Sequence, residues 1–257
     1  MKKIDFPESV RGAVQRSIFA ETHVRDWGPL FAGGMLVQIP AGVRLGDSEE
    51  QSRVVLVVSG TFRMYYTDES GKQLTIRYIV PGEIMGLVAA VGSPFPLEVE
   101  PLEDAVGWIV PGEQITRVAS KNAALSWVIA QECAHRLAGV FAELTTVAFG
   151  SIRERLIRHI LKLAETKQPP AAPGPAKHTD GEEISGAPPN PTEIRASQQE
   201  LADAVGTSRE VIARSLRELR DEGLLSGKGG TPGAIVIPDL AGLHRELAAA
   251  LSEDQRL

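Results

Sequence analysis

A chain of 257 residues, 43% hydrophobic and 23% charged, has the composition of a globular protein with room for two cores. Its net charge of −6 requires any nucleic-acid partner to be met by a local basic patch rather than by the whole molecule. A single cysteine, Cys133, excludes an internal disulfide and an iron–sulfur cluster held by four cysteines of one chain.

The opening MKKIDFPESVRG has no apolar signal-peptide core, and no run approaches the roughly 18 apolar residues of a membrane span. A cytoplasmic protein with no membrane partner is expected. Residues 8–32 read as a short helical lead-in. From about residue 30 to 110 the chain carries β-rich runs broken by glycine: MLVQIPAG, RVVLVVSGTFRMYY, QLTIRYIVPG and AVGWIVPG. Such spacing predicts an antiparallel sandwich or barrel. DESGK at 68–72 is a hairpin signal, since Gly71 can take positive φ.

After Pro111 the period turns helical. Ala130, Cys133, Leu137, Val140, Leu144 and Val147 are spaced 3, 4, 3, 4, 3, the narrow seam of a two-helix coiled coil. A dimerisation helix over 111–150 and a homodimer follow, with packing on the chain's own sheet as the competing reading, since Phe141 and Phe149 lie beside the seam. Ser151 and Glu154 form a capping box for the next helix. The proline-rich stretch 167–196 reads as a linker or irregular excursion.

The C-terminal part carries the chemistry. Ser197 to Glu200 and Thr207 to Glu210 are two capping boxes ten residues apart, with Gly206 between them. Leu201, Ala202 and Val205 can pack against Val211, Ile212, Leu216 and Leu219 only across that turn, which predicts a helix-turn-helix. LLSGKGGTPGAIVIP then reads as a small wing, giving a winged helix-turn-helix over 197–238. In this motif the start of the second helix meets base edges, so Arg209, Glu210 and Arg214 are expected to read DNA and to favour G·C pairs. The alternatives are a solvated face in which Glu210 pairs with Arg214, and a Glu210 engaged by the cap of Thr207. Ser197, Thr207 and Ser208 at the helix starts, and Lys228 on the wing, complete the expected DNA-binding set, Lys228 as a phosphate contact. Residues 195–230 hold six basic and six acidic side chains, so affinity should come from their arrangement.

The order of β-domain, long helix and winged helix-turn-helix resembles the Crp/Fnr family of bacterial transcription regulators over about residues 20–240. ELADAVGTSREVIARSLRELRDEGLL carries the resemblance most specifically, its Ser-Arg-Glu-x-x-x-Arg looking like the cyclic AMP receptor branch, whose half-site is TGTGA. VSGTFRMYYTDESGKQLTIRYIVPGEIMG resembles the family's effector-binding roll. The resemblance implies an α+β fold: an antiparallel β-roll (double-stranded β-helix, or jelly roll) over 1–110, the dimerisation helix, and a DNA-binding domain over 151–257. It also implies a palindromic double-stranded operator, RNA polymerase as a partner, and no enzymatic activity.

The implied effector site comprises Gly82, Glu83, Ile84 and Met85 with Val140 and Phe141 of the long helix. In the family's cyclic-nucleotide binders a Gly-Glu pair is followed about ten residues later by Arg-Ser. Here residues 84–105 contain no basic residue, and Val140-Phe141 stand where Thr-Ser would meet adenine. Cyclic AMP is therefore disfavoured, and an apolar effector, or none, is expected. Haem stays open as a cofactor, with His23, Cys133 and His135 as candidate ligands and Met85 and Phe95 beside the pocket. A metal-dependent jelly-roll enzyme of the cupin type would need histidines in the roll, and the chain has none between Val24 and Ala134. A DNA-binding architectural protein without ligand is the remaining class.

Overall fold

The computed structural model describes residues 6–45, 53–69, 71, 73–92, 96–166, 191–226 and 234–254. Two compact units divide the chain, with the change from one to the other falling inside a long helix at Val140 and Phe141.

The first unit opens with α1 (Glu8–Val14) and α2 (Val24–Phe31), the lead-in expected for residues 8–32. The strands then run β1 (Met35–Ile39), β2 (Arg53–Ser59), β3 (Phe62–Thr67), β4 (Gln73–Ile79), β5 (Ile84–Met85), β6 (Glu98–Pro101) and β7 (Ala105–Pro111), with the short helix α3 (Leu87–Val91) after β5. They form two antiparallel sheets in the orders β1-β7-β2-β5 and β4-β3-β6. The unbroken apolar run of β2 has a direct cause: both of its faces are covered. Val54, Leu56 and Val58 face a cluster with Val10 and Val14 of α1, Leu30 of α2 and Trp108 of β7. Val55 and Val57 face inward onto Phe62, Ile79 and Met85, with Met64 and Val99 beside them. Each such aliphatic chain contributes about 1.5–3 kcal/mol by leaving water. Gly86 turns β5 into α3 with φ of 75°, and a side chain there would come within 2.0 Å of the Arg53 carbonyl oxygen, so only glycine fits.

Residues 111–150 are not one helix. α4 (Gly112–Ala119) ends before α5 (Ala123–Phe149), because the Asn122 side chain accepts from the backbone N–H groups of Ala124 and Leu125 at 3.1 and 3.3 Å and caps a new start. The expected seam on α5 is also corrected. Leu125 and Ile129 are buried in the helical-side cluster and Cys133 packs against it, so Cys133 belongs to the unit's own core. The exposed apolar stripe runs through Trp127, Ala130, Ala134, Leu137, Phe141 and Leu144, again spaced 3, 4, 3, 4, 3. Val140 is exposed beside that stripe. One face of α5 therefore packs on the unit's own core, and another exposes apolar side chains. The side chain of Val147 lies outside the described residues.

The second unit begins with α6 (Ile152–Glu165), opened by the expected Ser151–Glu154 capping box. Residues 167–190 of the proline-rich stretch lie outside the described residues, but its end is not irregular: Thr192–Arg195 form β8. Alternate Thr192 and Ile194 suit a half-buried strand, and Ile194 is buried. α7 (Gln198–Val205) and α8 (Arg209–Asp221) follow, then β9 (Ala234–Ile237) and α9 (Leu240–Asp254). β9 pairs with β8 from Thr192↔Ile237 to Arg195↔Ala234, so the partner strand comes from ahead of the helices. The segment after Gly223 contributes an isolated bridge, Ser226↔Val236. Among the described residues no helix is long and apolar enough to cross a membrane.

Candidate functional site

The helix-turn-helix is built from its caps inward. Ser197 Oγ accepts from the Glu200 N–H at 3.1 Å while a Glu200 carboxylate oxygen accepts from the Ser197 N–H at 2.6 Å, the predicted box. Ser197→Ala should cost about 1 kcal/mol of stability, read by urea denaturation of the intact chain. α7 ends at Gly206, whose φ of 75° is left-handed, and the N–H groups of Gly206 and Thr207 both donate to Ala202 O at 2.9 and 3.0 Å.

Thr207 is thereby used to finish α7, which displaces the second predicted cap. Ser208 is the N-cap of α8, its hydroxyl accepting from the Val211 N–H at 3.4 Å, and Glu210 lies in the first turn instead of closing a box with Thr207. The Glu210 carboxyl is held below the usual carboxylate range, first by its own backbone N–H and then by the Ser208 hydroxyl. A Glu210–Arg214 ion pair is not formed among the described residues.

Leu201, Ala202 and Val205 of α7 and Ile212, Leu216 and Leu219 of α8 are buried, as the apolar pattern required. That burial leaves Arg209, Glu210, Arg214 and Arg217 exposed on α8, and Ser208 exposed at its start. Arg209 Nε lies 3.5 Å from Gln198 Oε1, at the limit of a hydrogen bond. Thr207 is half-buried, Ser197 exposed, and Lys228 lies outside the described residues.

The expected effector residues are distributed differently. Gly82 is buried with φ of 99°. Glu83 is engaged in its own turn, accepting from the Val80 N–H at 2.8 Å and from Arg77 Nη2 at 3.1 Å. Ile84 joins the helical-side cluster and Met85 the inner one, while Val140 and Phe141 are 53% and 58% exposed.

Two arginines that the sequence reading passed over stand at this turn. Arg136 of α5 donates to Ile84 O at 2.8 Å and to Glu132 at 2.5 Å. Burial lowers the Arg77 guanidinium pKa, Glu83 acts against the shift, and the Arg136 charge adds to it. The absence of basic residues from 84–105 therefore does not leave this corner without cations: they arrive from β4 and α5, each already paired.

His23 is the N-cap residue of α2, His135 is exposed on α5, and neither they nor Cys133 belong to the inner cluster of the roll. Phe95 lies outside the described residues. Among the described residues no group of three or more His, Cys, Asp or Glu is placed to hold a metal ion.

The model of the Crp-like helix-turn-helix domain matches residues 154–246, and that of the cyclic nucleotide-binding domain matches residues 37–122. The chain is 28% identical over 203 residues to the transcriptional regulator LdrP of Thermus thermophilus, covering 79% of this chain and 91% of that protein. It is 23% identical over 195 residues to the cAMP-activated global transcriptional regulator CRP of Salmonella typhimurium, covering 72% and 81%. Among solved structures, a CRP/FNR-family transcriptional regulator from Thermus thermophilus superposes with a TM-score of 0.63 at 26% identity, covering 84% of this chain and 98% of that one. With a roll and a helix-turn-helix each matched in the order these regulators share, the chain belongs to the Crp/Fnr family of bacterial transcription regulators.

Proposed function

We propose that this regulator binds a palindromic operator as a homodimer joined along α5, and that an apolar effector in the roll controls that binding. Residues 1–110 form the effector domain and 151–257 the DNA-binding domain in this reading. The observation that carries it is the exposed start of α8, where Arg209, Glu210 and Arg214 stand clear of a core that fixes the helix from behind. Arginine can bond guanine O6 and N7 as a fork, and glutamate accepts from cytosine N4. Ser197, Thr207, Ser208 and Lys228 serve the phosphates, and RNA polymerase is the downstream partner by family resemblance.

Selection of duplexes from a random pool tests the reading. Enriched sequences should carry two inverted half-sites containing G·C pairs, with centres about one helical turn, roughly 34 Å, apart. Enrichment of a single unrepeated site, or of none, would count against it.

The effector reading rests on the apolar side chains lining the inner cluster and on the engagement of Arg77 and Glu83 with each other. Gly82 to Met85 and Val140 to Phe141 mark the proposed contact region, since an effector there would differentially stabilise one arrangement of α5. Calorimetry with cyclic AMP is expected to give no heat of binding at micromolar concentration. Micromolar binding that Phe141→Ser leaves unaltered would defeat both the apolar chemistry and the placement. The absorption spectrum of the purified protein separates the haem alternative, which requires a Soret band.

A further inference from the structure

We propose that Arg153 and Arg155 are positioning residues for DNA reading, two guanidiniums on α6 that clamp the helix-turn-helix, Arg153 at the exit of the recognition helix α8 and Arg155 at the end of α7, just ahead of the turn into α8. Arg153 Nη1 donates to Glu222 Oε1 at 2.9 Å and its Nη2 to Glu222 Oε2, while Nη2 also reaches Glu246 Oε1 of α9 at 2.8 Å. Glu222 is the C-cap residue of α8, so this fork fixes the exit of the helix. Arg155 Nη1 donates to Val205 O at 3.0 Å, at the last residue of α7, and lies 3.9 Å from where a side chain on Gly206 would begin. It therefore sits across the turn that delivers the chain into α8. A cation at that carbonyl also complements the negative end of α7.

The geometry matters because a reading helix is a lever. α8 spans 13 residues, about 20 Å at 1.5 Å per residue. A tilt of roughly 10° about one end moves the other by about 3 Å, which is more than the few tenths of an ångström over which a base-edge hydrogen bond keeps its strength. The buried leucines and isoleucine behind α8 resist displacement but are nondirectional. The two guanidiniums supply directional contacts. They also extend the DNA-reading assembly to α9, beyond the wing.

The inference rests on α8 being the reading helix, and its test separates the two. Arg153→Met, Glu222→Gln and Arg155→Met would be compared with the parent on the pool-selected duplex and on a scrambled duplex at fixed salt, with circular dichroism and thermal unfolding recorded for each. Each variant should bind the selected duplex about tenfold more weakly, bind the scrambled one within twofold, and show flattened preference at the pairs read by Arg209. The charge exchange Arg153→Glu with Glu222→Arg, made together with Glu246→Gln so that no carboxylate faces the new one, should recover the selected duplex to within threefold. Wild-type affinity and preference in folded Arg153→Met and Glu222→Gln would overturn the clamp. Equal loss on both duplexes would also overturn it, by making these residues phosphate contacts. Arg209→Ala and Arg214→Ala are the controls: an unchanged base profile in both removes the reading helix itself, whereas a changed profile in either beside an unaffected Arg153→Met removes only the clamp.

Discussion

Leu137→Glu is expected to leave the protein monomeric at micromolar concentration and without measurable operator affinity. Leu137 is 56% exposed on α5, in line with Trp127, Ala130, Ala134, Phe141 and Leu144. A 3-4 spaced stripe of this kind buries its apolar groups only against another helix, and in a homodimer each substitution counts twice about the axis. Losing about 1.5–3 kcal/mol of burial per leucine, with two carboxylates brought together, weakens association on the order of a thousandfold. Leu144→Glu, three residues beyond Phe141 on the same stripe, should act in the same direction. Cys133→Ser should not, because Cys133 faces the core. Light scattering gives the mass, and the emission of Trp127, 65% exposed in the single chain, should respond to dilution of the parent protein. A dimer mass for folded Leu137→Glu would refute the stripe as the interface.

The difference between the expected and observed stripes shows what periodicity can deliver. Ala130, Leu137 and Leu144 are common to both, because a heptad pattern on α5 is real. Cys133 was assigned to the wrong face because the helix has two apolar faces, and 3-4 spacing alone does not say which meets the roll. The second cap failed for a similar reason. Thr207 and Ser208 are both competent caps, and only the Ala202 carbonyl, which takes up the Thr207 N–H, selects between them. β8 was hidden because its four residues sit in proline-rich sequence and pair with a strand about forty residues later, a contact without local signal. By contrast the Ser151 and Ser197 capping boxes, the Gly206 turn and the burial of Leu201, Ile212, Leu216 and Leu219 were legible, since each follows from residues within one or two helical turns. The Arg77, Glu83, Glu132 and Arg136 group was not, because its members come from separate elements and meet only in the folded unit.

Arg209→Ala and Arg214→Ala should each cost on the order of 1–3 kcal/mol on the selected operator and relax preference at one base pair per half-site. Both side chains are exposed at the start of α8, one and six residues past its Ser208 cap, where a major-groove helix presents its base-reading positions. Glu210 has no box with Thr207, so its carboxylate has its own backbone N–H and the Ser208 hydroxyl to leave before it accepts from a cytosine amine. Its depressed pKa keeps it an acceptor at neutral pH, and this readiness should fade only as pH falls below the ordinary carboxylate range. Lys228 should behave differently from the arginines. Its replacement by Ala should weaken all duplexes about equally and reduce the slope of log affinity against log salt by about one, as a phosphate contact does. A solvated α8 face predicts uniform weakening, or none, for the arginines too. Single-base operator variants measured at fixed salt decide between these outcomes: wild-type base preference in both Arg209→Ala and Arg214→Ala would mean that this face does not read DNA.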